Sequence, residues 1–198
     1  MDDKYENALA LIDNANRDDP NQEVAEGKTW PKELLYSQRM SDMLSRYKPD
    51  TDEIMKLAIR AQHIQRWKSP RNAYPMDKKG YHQWRINLYK FHADTVCELL
   101  KEAGYTTAEI ERVRLAVSKK SLKTNMDTQL VEDVAALVFI EHYMQAFVEK
   151  HPEYNEEKWL SIIRITWKKM SKNGQDFALS GAIQLPEPSI PLIQKAIA

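Results

Sequence analysis

Imidazole and carboxylate side chains stand inside three stretches of the chain that are otherwise apolar and helical in spacing. His63 belongs to the stretch AQHIQRW, His92 to KFHADTVCELL, and the neighbours Glu132 and Asp133 to QLVEDVAALVF. Such groups are costly to bury unless they are paired or bind a metal ion. Two imidazoles and one or two carboxylates from separate helices suit Zn, Mn, Fe or Ni. We therefore predict that His63, His92 and Asp133 bind a divalent metal ion, with Glu132 as catalytic base or further ligand.

A second interpretation of the same residues needs no metal ion. Each histidine would make one hydrogen bond in the core, and Asp133 or Glu132 would pair with an arginine. Spacing along the chain does not show whether the three helices converge. Both interpretations therefore stay open at the level of sequence.

Arginine and aromatic side chains are concentrated between residues 66 and 85. Arginine binds phosphate or carboxylate through two parallel hydrogen bonds, and Trp or Tyr rings stack on a base or a sugar. This mixture favours a small phosphorylated or nucleotide-like ligand, although a surface loop pinned to the core by its aromatics would have the same composition. The substrate-binding residues predicted from this pattern and its flanks are Arg39, Arg66, Trp67, Arg71, Arg85 and Lys119.

One short run matches a known catalytic element. Lys169-Met170-Ser171-Lys172 has the KMSK pattern with which class I aminoacyl-tRNA synthetases hold ATP. Those enzymes build their site on a nucleotide-binding α/β fold, and the present sequence has no βαβ pattern. We interpret the match as accidental.

Helices must position these residues, because apolar residues recur at helical spacing while alternation of period two is hard to find. We predict an all-α, single compact helical bundle with a polar loop up to about residue 30 and a Pro-rich tail. The helix over 128–150 is apolar on nearly every side and should lie at the centre. The predicted helices cover residues 4–16, 31–47, 51–67, 81–103, 107–119, 128–150 and 155–170.

The composition of the chain limits the classes of partner and the compartment that the sequence favours. The 198 residues carry 29 basic and 29 acidic side chains, so no overall positive charge favours nucleic acid or an anionic membrane. The single cysteine, Cys97, forms no intrachain disulfide, and the apolar run from Val134 to Ile140 is too short to span a bilayer. We predict a cytoplasmic protein without a membrane partner. An RNA-binding accessory role would rest on the arginine and aromatic loop alone.

The order of the segments resembles the histidine/aspartate phosphohydrolases, or HD domains, over residues 31–150. That superfamily is a helical bundle with a divalent metal centre, and the resemblance implies that His63, His92 and Asp133 are ligands. Ile64 stands where the family has the aspartate of its His-Asp pair, and Gln38 stands where it has its first histidine. We place Gln38 with the substrate-binding residues.

Over the whole chain the sequence is closer still to a widespread family of uncharacterised proteins, some titled glutamyl-tRNA synthetase. The stretches KELLYSQRMS, AQHIQRW, YPMDKKGYHQWR and QLVEDVAALVF carry this resemblance. The predicted organisation is one domain over 1–198, with an HD-like core at 31–150 and a C-terminal helix and tail at 151–198. The predicted function is a metal-dependent phosphohydrolase acting on a small phosphorylated or nucleotide-like compound. The alternative is a non-catalytic ligand-binding or regulatory protein with a degenerate metal site.

Overall fold

The computed structural model describes residues 3–197, so both ends of the predicted domain 1–198 lie outside the described residues. Helices dominate the structure. This confirms the predicted all-α class, with 71% of the chain helical. None of the helices in the described part is long and apolar enough to cross a membrane. The α-helices are α1 (Asp3–Arg17), α2 (Lys32–Tyr47), α3 (Glu53–Arg60), α4 (Lys78–Glu102), α5 (Thr107–Val117), α6 (Met126–Val138), α7 (Met144–Lys150), α8 (Glu156–Lys169), α9 (Lys172–Leu179) and α10 (Ile190–Ile197).

A short β-hairpin precedes α2, where the sequence predicts an irregular loop. Its strands are β1 (Gln22–Ala25) and β2 (Lys28–Pro31), which pair antiparallel with Gln22 opposite Pro31. The two residues between them, Glu26 and Gly27, have φ angles of 51° and 73°. Two consecutive positive φ values are typical of the tight turns that match strand twist. The loop prediction is wrong here because four-residue strands are too short to show an alternating pattern.

Asp19 fixes the start of α2 from a distance. Pro31 directly precedes that helix and has no side-chain group to cap it. The buried carboxylate of Asp19 instead accepts hydrogen bonds from the backbone N–H of Glu33 at 2.9 Å and from the N–H of Asn21 at 2.9 Å. It thereby satisfies one of the unpaired amides at the helix start. The position of Glu33 on the first turn of α2 follows from this contact.

The third predicted helix, over 51–67, is half as long in the structure. Its cap is Asp52, whose side chain accepts a hydrogen bond from the backbone N–H of Met55. The helix ends at Arg60, and residues 61–65 form successive turns.

A tertiary contact explains this early end. Gln65 has a left-handed φ of 50°, and its N–H donates to the side-chain oxygen of Asn16 on α1 at 2.9 Å. The backbone donor that a longer helix would use is therefore committed to another helix. As a result, His63 lies on a turn and not on a helix face.

The sixth predicted helix, over 128–150, is present but interrupted. A π-helical turn, Phe139–Tyr143, separates α6 from α7. Nine of the 13 residues of α6 are buried, and α6 contacts α2, α3, α5, α8 and α9, which confirms its central position. Single π-turns inside α-helices recur at functional sites. This turn brings Phe139 and Tyr143 to the cavity described below.

Replacing Asp19 by alanine should destabilise the protein, because the amides of Glu33 and Asn21 would lose a buried acceptor. We expect the free energy of unfolding to fall by about 1–3 kcal/mol, as measured by urea denaturation. Asp18→Ala is the matched control, since Asp18 is exposed. Equal effects of the two substitutions would contradict the assigned role.

Candidate functional site

A cavity of about 510 Å³ lies between α2, the turn after α3, α4, α6 and α8. Cavities of a few hundred Å³ hold small ligands. Basic side chains outnumber acidic ones in its wall, and tyrosine and phenylalanine rings fill much of the remainder. The charged residues of the wall are Lys32, Glu33, Arg66, Arg85, Lys119, Glu132 and Lys169.

His92 projects from α4 into this wall. Its ring centroid lies 5.8 Å from that of His63, so the two predicted histidines do come together. The Nδ1 atom of His92 is 2.8 Å from the carbonyl oxygen of Ile64. Since a carbonyl oxygen only accepts, Nδ1 carries the proton and donates. Burial lowers the pKa of His92 to about 3, with Arg66 and Lys119 acting in the same direction. The ring is therefore neutral at neutral pH.

His63 holds an arginine in place. Its Nε2 atom is 3.2 Å from Nη1 of Arg66, and a guanidinium only donates, so Nε2 accepts. Its Nδ1 atom faces Oε2 of Glu33 at 3.6 Å, and the ring of Tyr36 stacks on the imidazole with centroids 4.1 Å apart. Burial, followed by the charge of Arg66, lowers the pKa of His63 well below its usual value. His63 is thus a neutral acceptor that orients Arg66.

Glu33 is the more weakly acidic of the two cavity carboxyl groups. Burial raises its pKa to about 7; Arg66 and Lys32 oppose the shift, and Asp19 and Glu23 add to it. A carboxyl group with this pKa exchanges protons near neutral pH. Glu33 therefore has the properties of a general acid or base facing the cavity.

Glu132 and Lys119 form an ion pair in the wall. Oε2 of Glu132 lies 2.5 Å from the Lys119 ammonium, and Lys169 is 3.9 Å from the other carboxylate oxygen. Burial by itself would raise the pKa of Glu132, but the charge and hydrogen bond of Lys119, together with the charges of Lys169 and Arg85, outweigh it, so the pKa is lowered. Lys119 has a left-handed φ of 55°, an unusual conformation for a residue with a side chain. Glu132 stays ionised and balances part of the positive charge.

Arg66 and Arg85 are held by aromatic rings. The Arg66 guanidinium lies 5.4 Å from the Trp84 ring centroid, and Arg85 lies 4.8 Å from the Tyr89 ring and donates to its hydroxyl. Neither arginine has a carboxylate within ion-pair distance in the described chain, residues 3–197. Their charges face the cavity, and the Arg66 charge acts on Glu33 without an ion pair between the two.

Asp133 lies away from the cavity. Its carboxylate accepts from Ser171 N at 2.7 Å, from the Ser171 hydroxyl, from Gln129 Nε2 at 2.9 Å and from the Tyr47 hydroxyl at 3.1 Å. Consecutive helical residues point about 100° apart, so Glu132 faces the cavity while Asp133 faces the start of α9. Gly174 packs against it so closely that a Cβ atom there would lie 2.9 Å from the Asp133 carboxyl carbon.

The predicted metal ligands therefore do not gather around one point. Across residues 3–197, no three His, Cys, Asp or Glu side chains are grouped as an ion would require. The Nε2 atom of His63 accepts from Arg66 and its Nδ1 atom faces Glu33, and three cations act on the ring of His92. This set of donors does not fit a three-ligand divalent centre.

Of the predicted substrate-binding residues, Arg66, Arg85 and Lys119 line the cavity, and Gln38, Arg39, Trp67 and Arg71 do not. Arg39 pairs with Glu23 and donates to the Tyr143 hydroxyl at 2.8 Å, so it supports a ring of the wall. Arg71 donates to the backbone carbonyls of its own loop.

Sequence reasoning missed several wall residues. Lys32, Glu33 and Tyr36 occupy the first turns of α2, where a carboxylate among apolar residues was a usable signal. Lys169 begins the KMSK-like run, and its ammonium reaches the cavity from the last residue of α8. Tyr143 depends on the π-turn, which the apolar pattern does not reveal.

Asp133→Asn should destabilise the protein, because the amide group of Asn cannot accept from all the donors that surround the carboxylate. We expect the free energy of unfolding to fall by about 1–3 kcal/mol. The measurement is urea denaturation together with elemental analysis of both proteins. A variant that unfolds at the same urea concentration as the wild type but has lost a bound divalent ion would contradict this role and support the metal prediction.

Comparison with curated proteins gives no match, and comparison with solved structures gives none either. One family model matches residues 6–193, which is nearly the whole chain, and its description is Domain of unknown function (DUF4202). The chain belongs to the DUF4202 family.

Proposed function

We propose that the cavity binds a small phosphorylated or nucleotide-like molecule. The observation that carries this proposal is the pair Arg66 and Arg85, whose guanidinium groups face the cavity with no carboxylate at ion-pair distance in residues 3–197. Half-buried positive charge without a carboxylate partner is unfavourable, and a phosphate group relieves it through charge-assisted hydrogen bonds. The ligand thus supplies the negative charge that no carboxylate within residues 3–197 provides beside Arg66 and Arg85.

Other features of the wall support an anionic occupant. Both histidines are neutral, so the positive charge of the wall comes from its arginines and lysines. Lys119 and Lys169 already share Glu132, and their remaining N–H groups extend the basic surface. The tyrosine rings offer faces for stacking on a sugar or base. The volume of about 510 Å³ accommodates a molecule of that size.

Sulfate binding tests the proposal, with Arg66→Ala and Arg85→Ala as the variants. Each substitution removes charged hydrogen bonds to the anion, so the Kd for sulfate should rise about ten-fold or more, measured by calorimetry at fixed ionic strength. Arg71→Ala is the matched control, because that guanidinium bonds to its own loop outside the cavity. Binding that survives both cavity substitutions, or that is lost equally in the control, would sink the proposal.

A second candidate function is hydrolysis of a phosphoester in the same cavity. The observation that favours it is the buried Glu33 carboxyl, which faces the cavity beside His63 and Arg66. Glu33 would take a proton from a water molecule as the water oxygen attacks phosphorus. The bond from phosphorus to the leaving oxygen breaks, and the proton on Glu33 passes to that oxygen. Arg66 and Arg85 would neutralise the charge that develops on the phosphoryl group.

Phosphoryl chemistry also agrees with the resemblance to HD phosphohydrolases, which implies the same metal ligands as the residue pattern does. Since the side chains present do not fit a three-ligand centre, the proposed hydrolysis uses Glu33, Arg66 and Arg85 and no step through a metal ion. Metal binding stays a prediction from the sequence. If the cavity binds anions but hydrolyses no phosphoester, the alternative of a ligand-binding or regulatory protein is favoured.

Glu33→Gln should remove a pH dependence of anion binding. Glu33 is protonated below its pKa of about 7 and ionised above it, so in the wild type the carboxylate repels sulfate as pH rises. We expect sulfate affinity to fall several-fold from about pH 6 to about pH 8 in the wild type and to stay level in the variant. Calorimetric titrations across this range measure it.

Glu132→Gln is the control, because Glu132 is already ionised and its removal should shift affinity equally at every pH. The same variants decide hydrolysis on a panel of phosphoesters. Glu33→Gln should lose about a hundred-fold or more of any phosphate release. A wild-type protein that binds sulfate and hydrolyses nothing on the panel would eliminate the second function and leave the first.

A further inference from the structure

The imidazole of His92 presents a bare acceptor. Its Nδ1–H donates to the Ile64 carbonyl at 2.8 Å, so in the neutral ring Nε2 has a lone pair and no proton. The residue is only 1% exposed, and Nε2 has no hydrogen-bond donor among residues 3–197. The carbonyl holds one edge of the ring toward the turn after α3, and the ring itself forms part of the cavity wall.

Gln62 adds a second acceptor of the same kind. It lies on that turn, directly before His63, and is 2% exposed. Its side-chain oxygen Oε1 also has no donor within the described chain. Gln62 and His92 both line the cavity. Most buried polar atoms in proteins have a partner, so two unpartnered acceptors in one wall need an explanation.

The nearby basic groups do not provide it. Arg66, Arg85 and Lys119 lie close enough for their charges to act on His92, yet none of them donates to Nε2. A phosphate bound by these cations has only acceptor oxygens when fully ionised. The donor must therefore come from another part of the ligand, and it must sit close to the phosphate.

We infer that the ligand is a phosphorylated sugar or polyol whose free hydroxyl donates to Nε2 of His92. A hydroxyl on a carbon near the phosphoester reaches an acceptor beside the phosphate-binding cations, whereas an amino group on a distant base would not. A second hydroxyl of such a ligand can donate to Oε1 of Gln62. This inference rests on the proposed binding of a phosphorylated molecule and specifies its class.

Two probes of equal charge test it: glycerol 3-phosphate, which carries two hydroxyl groups, and propyl phosphate, which carries none. The wild type should bind glycerol 3-phosphate about two- to ten-fold more tightly, the range that neutral hydrogen bonds provide. In His92→Phe, which keeps an aromatic ring but has no acceptor, this preference should fall to about half of the wild-type ratio or less, and what remains comes from Gln62. Calorimetry gives both dissociation constants for each protein.

His82→Phe is the matched control, because His82 is an exposed histidine on the same helix and does not line the cavity. It should keep the full preference for glycerol 3-phosphate. The comparison of the two probes on the wild type needs no variant, so the inference stays testable if His92→Phe folds poorly. Equal binding of both probes by the wild type would overturn it.

Other outcomes separate this inference from the function on which it rests. If neither probe nor sulfate binds, the proposed function fails. If both probes bind with equal affinity, the phosphate site stands and the hydroxyl contact is refuted. Zinc that binds the wild type but not His92→Phe, with no preference between the probes, would overturn the inference and assign Nε2 to a metal ion.

Discussion

Positive charge gathered inside the fold is the constraint on which the rest of the site depends. Five basic side chains and two carboxylates share one cavity, and burial strengthens every interaction among them. Glu132 balances Lys119 and Lys169, whereas Arg66 and Arg85 have no carboxylate at ion-pair distance within residues 3–197. Replacing such a charge cluster with well-packed apolar residues is often neutral or stabilising. We therefore propose that the cluster is a binding site for an anion.

The surrounding residues limit the positive charge of the cavity and fix the orientation of its arginine side chains. Both histidines are neutral because burial and the nearby arginines disfavour imidazolium, so they act as acceptors and not as further cations. His63 fixes Arg66 through one nitrogen, and aromatic rings support both arginines. Asp19 sets the start of α2 and with it Glu33. The π-turn after α6 brings Tyr143 to the same wall.

The sequence was sufficient to predict most helices and part of the site. Apolar spacing predicts α1, α2, α4 and the central helix because these have long buried faces. It fails at α3, since the contact between Asn16 and Gln65 that ends the helix joins residues far apart in the chain. The same limit applies to the site. His63, His92, Arg66 and Arg85 converge as expected, but helix geometry turns Asp133 away from its neighbour Glu132, and linear spacing cannot say which of the two faces inward.

Crystals grown in sodium selenate would test the central claim most directly, because the anomalous signal of selenium locates the anion without assumption. The account predicts that the strongest peak lies inside the cavity, within hydrogen-bonding distance of the guanidinium groups of Arg66 and Arg85. A cavity without a selenium peak, at a selenate concentration that saturates thermal stabilisation of the protein in solution, would contradict it.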